Sequence, residues 1–356
     1  MPGLDLRRRM ALSLVKNQQN KAIQEHPLRQ LFWECTLRCN LACRHCGSDC
    51  RVTATTKDMP MADFGKVLDS VACSTDPHHV MVNITGGEPL MRADIEACGR
   101  MIYEKGFPWG IVTNGLALTQ ARYKSLLASG LRSMTISLDG LEENHDWMRG
   151  RQGSFKKATE AIKMVIDSGE IEFDVVTCVN KRSFRQLPEI RRLLTGLGLK
   201  HWRLFTVFPA GRALNDPEMQ LDKVELRALM EFIRSTRKEG LIKASYGCEG
   251  FLGNFEGEVR DQFFFCRAGV SIGSVLADGS ISACPSIRAD YHQGNIYQDD
   301  FMDVWNTRFE VFRDRSWMKK TEPCSSCRQF KFCRGGGMHL RDCEGHLLIC
   351  RINDCL

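Results

Sequence analysis

The 356-residue sequence lacks a long apolar run. No stretch approaches the roughly 18 residues that a membrane-spanning helix needs, which excludes such a span. It also lacks a dominant charge. Lys and Arg number 49 against 43 Asp and Glu, for a net charge of +6, and the two signs are interleaved. No basic stripe of the kind that binds nucleic acid is present. Internal repeats and low-complexity tracts are absent. The opening MPGLDLRRRMALSLVKNQQNK has an arginine run, but Met10–Val15 is too short for the apolar core of a secretory leader, and Lys16 follows. Residues 1–28 therefore read as an N-terminal amphipathic helical extension.

What the chain has in excess is cysteine: 17, of which eight lie between Cys35 and Cys178 and nine between Cys248 and Cys355. Disulfide scaffolds are usually short secreted chains, and no leader is visible. The expected compartment is a reducing cytoplasm, where clustered cysteines signify metal or redox chemistry.

From Arg29 to Gly211 short β-rich runs alternate with helical ones. The strands are expected at 29–35, 79–85, 109–114, 133–139, 173–179 and 202–208. Between them, Ser154–Gly169 places apolar residues at Phe155, Ala158, Ala161, Ile162, Val165 and Ile166, a helical spacing. Six alternations predict an α/β fold, a partial (β/α)6 barrel over residues 29–212. The loops after these strands hold CNLACRHC, GGEP, NG, DG and VN, so the chemistry gathers on one rim, at the C-terminal strand ends. Residues 213–245 form a linker built around a helix at Leu221–Gly240. A smaller, cysteine-rich domain of hairpins, loops and short helices is expected at 246–356, with a hairpin over Ser274–Pro285 turning at Asp278–Gly279.

The stretch CTLRCNLACRHCGSDC, Cys35–Cys50, packs five cysteines into sixteen residues. Cys39, Cys43 and Cys46, spaced x3 then x2, can wrap one cubane. Such clusters normally take four thiolates, so three leave one iron open to a small molecule. A zinc ion with a fourth ligand from elsewhere is the alternative. Cys35 ends the first strand and reads as a buried structural thiol; Cys50 reads as a bystander.

CNLACRHC resembles the CxxxCxΦC signature of radical S-adenosylmethionine (SAM) enzymes. The resemblance implies a [4Fe–4S] cluster whose fourth iron is chelated by the amino and carboxylate groups of SAM. It implies that His45, at the Φ position, packs near the adenine. Thr85–Pro89 is similar to the GGE motif, with Gly86 and Gly87 letting backbone approach the methionine end of SAM and Glu88 accepting from its amino group. Ser137 and Asp139 share a face of the fourth strand and resemble its ribose-contacting end. Asn114 ends the third strand, and Arg149 resembles an arginine placed near the SAM carboxylate. The likeness covers about residues 29–212.

The C-terminal cysteines resemble those of a SPASM domain, which implies one or two auxiliary [4Fe–4S] clusters. Carried over, Cys248, Cys266 and Cys284 hold the first, and Cys324, Cys327, Cys333 and Cys350 the second. Gly337 stands where the pattern has a cysteine, so the first cluster's fourth ligand is open among Cys343, His339, a substrate atom or none. Two zinc sites are the alternative reading. Cys355 stays unassigned.

The activity implied is reductive cleavage of SAM, fed by an electron donor such as flavodoxin or ferredoxin. The resulting 5′-deoxyadenosyl radical abstracts hydrogen from a peptide or protein. Pro285 follows Cys284, where sulfatase-maturing relatives carry an aspartate, which argues against that activity. The chain is also similar to a subgroup paired with a small lipoprotein, which makes a lipoprotein precursor a candidate substrate. A small-molecule substrate, or a non-enzymatic zinc or cluster-binding scaffold, are the other readings. No catalytic acid or base is identifiable; Tyr246, Glu249 and Asp278 lie near cysteines but fit surface roles equally.

Overall fold

A computed structural model describes residues 6–287 and 289–352. Cys355 lies outside the described residues. Six parallel strands follow the expected runs closely: β1 (Gln30–Glu34), β2 (Met81–Thr85), β3 (Trp109–Thr113), β4 (Leu131–Ser137), β5 (Glu172–Val179) and β6 (His201–Thr206). Between them lie α2 (Met61–Ser74), α3 (Ile95–Glu104), α4 (Gln120–Ala128), α5 (Glu142–Arg149), α6 (Ser154–Ser168), α7 (Lys181–Arg185) and α8 (Leu187–Gly196); α1 (Leu6–Glu25) precedes the sheet. Helix α6 buries Ala158, Ala161, Ile162 and Val165, one face at helical spacing, against the sheet. Indole packing fixes other contacts: Trp33 of β1 stacks on Phe64 of α2 with ring centroids 4.3 Å apart.

The sheet does not stop at six strands. Helix α9 (Lys223–Glu239) starts at a capping box between Asp222 and Glu225 and ends at Gly240, whose φ is +73°. It leads into β7 (Lys243–Tyr246), parallel to β6. On the other side, β8 (Ile272–Val275) pairs with β1 in parallel register, Gln30 opposite Ile272 and Trp33 opposite Val275. The expected hairpin is present: β8 and β9 (Ser280–Ser282) are antiparallel, and Gly279 sits at the turn with φ +87°. With β10 (Gly294–Asn295) the order is β10-β9-β8-β1-β2-β3-β4-β5-β6-β7, one ten-stranded sheet. The C-terminal cysteine-rich segment therefore covers what would have been the bare β1 edge.

Helix α1 docks on the same C-terminal segment. The Gln19 side chain donates to the Phe264 carbonyl (3.3 Å), and the Arg8 guanidinium meets the Glu256 carbonyl and the Glu258 carboxylate. Its apolar residues Leu6, Met10 and Leu14 stay exposed while Leu12 is buried. Polar anchors thus hold the helix where an apolar face was expected. Among the described residues no helix is long and apolar enough to cross a membrane.

Candidate functional site

The loop that follows β1 is closed at its base. The Cys39 N–H donates to the Arg51 carbonyl at 2.7 Å, and Arg38 is held by Asp58. The loop lies directly on the β2 end, where the Gly87 N–H donates to Thr36 (2.7 Å) and the Glu88 N–H to Arg38 (2.9 Å). A Cβ on Gly86 (φ +140°) would fall 2.2 Å from the Thr36 carbonyl oxygen, and one on Gly87 2.3 Å from that of Arg38. These glycines are thus required by the cysteine loop itself, before any ligand arrives.

Cys39, Cys43, Cys46, His45, Gly86, Gly87, Glu88, Asn114, Ser137 and Arg149 line one cavity of about 150 Å³. Five loops and strand ends deliver them to a single rim. Glu88 is buried: its Oε1 accepts from the Thr113 hydroxyl (2.7 Å) and the Leu90 N–H (3.1 Å), and its Oε2 from the Asn114 N–H (2.8 Å). Burial raises its carboxyl above the usual range, with the Asn114, Thr113 and Leu90 bonds opposing. One further donor can reach Oε2, whose second lone pair has no partner. The Asn114 amide reaches Asn40 Oδ1 (2.8 Å) and Cys39 Sγ (4.0 Å), which ties strand three to the cysteine loop.

Asp139 is fully buried. Its Oδ1 accepts from the Cys178 N–H (2.9 Å), and its Oδ2 pairs with Arg149 Nη2 at 2.7 Å and faces His45 Nε2 at 3.7 Å. Burial pushes its carboxyl up, but Arg149 and the two neighbouring histidines, His45 and His145, bring it below the ordinary range. Arg149 also points Nη1 at Cys43 Sγ, 3.7 Å away. Burial weakens the Arg149 cation, and Asp139 and Cys43 more than offset this, so it stays charged. Burial pushes the His45 imidazole down to about 4, so the ring is neutral.

Two residues outside the sequence reading belong here. Arg212, beyond β6, clamps the cysteine loop: its backbone N–H donates to Cys46 (3.1 Å), its Nε to the Cys43 carbonyl (2.7 Å) and its Nη1 to the Cys50 carbonyl (3.2 Å). Gly211 permits that approach, since a Cβ there would fall 2.4 Å from the Cys46 oxygen. A lone arginine in a loop gives no sequence signal. Cys50 is the second. Read as a bystander, it is buried and lines the same cavity. Cys35 is fully buried on β1, as expected.

An iron–sulfur cluster and SAM are the two groups that this donor set would hold. Among the described residues no three cysteine sulfurs lie within 4.8 Å of one another. A tetrahedral zinc with bonds of about 2.3 Å needs sulfurs about 3.8 Å apart, whereas cubane thiolates sit on separate irons. Among the described residues His45 Nδ1 and Arg149 Nε, buried beside the cavity, are also left without hydrogen-bond partners. The residues fit both groups.

In the C-terminal segment Cys324, Cys327, Cys333 and Cys350 line a second cavity of about 450 Å³, with Phe251 and Phe330. Arg341, almost fully buried, donates from Nη2 to Cys324 Sγ at 3.3 Å. Among the described residues Arg341 has no carboxylate partner. Cys266 shows the same arrangement. Burial raises its thiol, but Arg315, which also bonds the Cys266 carbonyl (3.3 Å), brings it below the ordinary value. Burial and the neighbouring Cys284 and Cys266 push the Cys248 thiol above its ordinary value. The structure does not bring Cys343 to either set; it is exposed, near Tyr291.

Tyr246 and Glu249 are not at the surface. Both are buried at the β6 and β7 ends, where the Tyr246 and Thr206 hydroxyls donate to Glu249 Oε2 and Arg351 lies 3.5 Å from it. Cys178, at the end of β5, donates its N–H to Asp139 Oδ1 (2.9 Å), and burial pushes its thiol well up. Polar groups thus run from the first cavity toward the C-terminal cysteines.

Comparison with known proteins bears on the two segments of the chain. Residues 33–194 match the model of the radical SAM superfamily, and residues 266–328 that of the SPASM iron–sulfur cluster-binding domain. An AdoMet-dependent heme synthase of Nitratidesulfovibrio vulgaris is 25% identical over 324 residues, covering 86% of each chain. Mycofactocin maturase MftC of Mycolicibacterium smegmatis is 28% identical over 321 residues, covering 86% of this chain and 77% of that protein. The fold is that of Streptococcus suis SuiB bound to S-adenosylmethionine, with a TM-score of 0.69 and 18% identity over 90% of this chain and 76% of that one. SuiB has the same TM-score when bound to its precursor peptide SuiA.

Proposed function

We propose that this radical SAM enzyme with a SPASM domain oxidatively modifies a peptide or protein held between the barrel rim and the C-terminal cysteine sites. The carrying observation is the convergence of Cys39, Cys43, Cys46, Glu88 and Arg149 on one cavity, with buried Asp139 paired to Arg149 behind it. When bound, the cluster and SAM supply one electron and, from it, a 5′-deoxyadenosyl radical that takes a hydrogen atom from substrate. The chain's own residues position and shield. Were SAM bound, Glu88 and Arg149 would present an acceptor and a cation to its amino and carboxylate ends, Ser137 and Asp139 would serve its ribose, and His45 its adenine. Arg212 keeps the loop closed against water.

A peptide substrate is supported by the chain's likeness to MftC and by a fold that in SuiB accommodates a precursor peptide. A small lipoprotein precursor remains a candidate, and flavodoxin or ferredoxin the electron donor. The likeness to heme synthases favours a second reading, a tetrapyrrole-like small molecule. The test is anaerobic protein mixed with reductant and SAM. It should release 5′-deoxyadenosine, and Cys43→Ala should not. Mass spectrometry of co-expressed neighbouring peptides should then show a loss of two mass units. Cleavage of SAM with no change in any peptide, but turnover of an iron tetrapyrrole, would select the second reading; no SAM cleavage at all would refute both.

A further inference from the structure

We propose that the imidazole of His339 is the fourth protein ligand of the cluster held by Cys248, Cys266 and Cys284, replacing the cysteine missing at position 337. The proposal rests on those three cysteines holding a cluster, as above, and adds the group that completes it.

Three observations carry it. The first is where position 337 lies. A Cβ built on Gly337 points to within 3.5 Å of the Cys248 carbonyl oxygen, so a side chain there would stand at this cysteine set. The second is what already fills that space. The same Cβ would lie 2.9 Å from His339 Nδ1 and 2.7 Å from its Cε1. Gly337 caps a single 3-10 turn, Met338–Leu340, closed by the Leu340 N–H donating to the Gly337 carbonyl at 3.0 Å. That turn swings the side chain of residue 339 back over residue 337. Glycine is what leaves room for it.

The third is that the ring is placed but not used. It packs edge-on against Phe208, centroids 5.6 Å apart and planes at 72°. Among the described residues neither ring nitrogen has a hydrogen-bond partner. An imidazole held by an aromatic edge with both nitrogens unengaged is available to a metal.

Ligation is a substitution at the fourth iron. A neutral ring nitrogen donates its lone pair, a bound solvent molecule leaves, and no electron or proton is transferred. Exchanging an anionic thiolate for a neutral imidazole makes the cluster less negative by one charge. Its reduction potential therefore rises, as when histidine replaces cysteine in Rieske centres. A cluster that is easier to reduce is a better acceptor for the electron that a substrate radical must shed.

The experiment uses the full chain, reconstituted anaerobically without SAM, so that no SAM nitrogen reaches the first cluster. Iron is counted, and the partly reduced protein is examined by pulsed EPR for a directly bound ¹⁴N. The wild type should hold about twelve irons and show the nitrogen coupling, which should change to that of ¹⁵N on histidine labelling. His339→Ala should lose it. His339→Cys should keep full iron, lose the coupling and titrate at a lower potential. Full iron with no coupling in the wild type, or a coupling that persists in His339→Ala, overturns the assignment alone. A wild type with only the first cluster's four irons overturns the auxiliary-cluster reading as well.

Discussion

His145 illustrates how a buried side chain sets pH behaviour. It is almost fully buried, and its Nδ1 accepts the Asp139 backbone N–H at 3.1 Å. Burial, then Arg149, pushes the ring down to about 4 from an ordinary 6.5. The native ring is neutral, and the unfolded ring gains a proton first as pH falls. The stability this ring contributes is complete above about pH 6.5 and is lost as pH falls toward 4, at up to about 1.4 kcal/mol per pH unit. Anaerobic urea midpoints measured from pH 7.5 to 4.5 should therefore fall in that window. His145→Leu leaves the Asp139 N–H unpaired and should cost about 1–3 kcal/mol at pH 7. The same change should flatten the acid slope by about one proton. An unchanged slope would mean that the ring titrates normally in the native state.

At the scale of the element, the first cysteine loop depends on the strand beside it. Gly86 and Gly87 were expected to make room for the methionine end of SAM, but they already make room for Thr36 and Arg38. Gly86→Ala adds a Cβ at φ +140° that collides with backbone, so the loop must shift before any ligand binds. The expected outcome is a protein that keeps its barrel helicity by circular dichroism and loses about four irons per chain even without SAM. Normal iron with only weaker SAM binding would restore the ligand-approach role. This contrast marks what the sequence could reveal. Runs such as Met81–Thr85 and Trp109–Thr113 announce strands because every second residue is buried or the whole run is. Cys39, Cys43, Cys46 and Glu88 announce themselves by spacing. Arg212, His339 and the Tyr246–Glu249 pair do not, because each acts through a contact distant in sequence that no local pattern encodes.

The whole molecule is coupled through one pairing that was equally illegible. Strand β8 is parallel to β1 across more than 230 positions of chain, and β1 runs directly into the cysteine loop. Ser274 sits at the centre: it pairs with Phe32 on one side and Ser282 on the other, and its buried hydroxyl has no partner. Proline there removes a ladder donor and cannot be tolerated in a central strand, a loss of ~3 kcal/mol or more. Ser274→Ala removes only the unsatisfied hydroxyl and keeps the ladder, so it should be neutral or slightly stabilising. If the continuous sheet couples the two metal regions, Ser274→Pro should lose iron from the first site as well as from the C-terminal sites. Protease should then cut between residues 246 and 271, while Ser274→Ala stays intact with full iron. Loss of only the C-terminal irons, with the SAM-binding site still loaded and 5′-deoxyadenosine still released, would show instead that the barrel holds its cysteine loop unaided. The β1–β8 pairing would then serve only to dock the C-terminal segment.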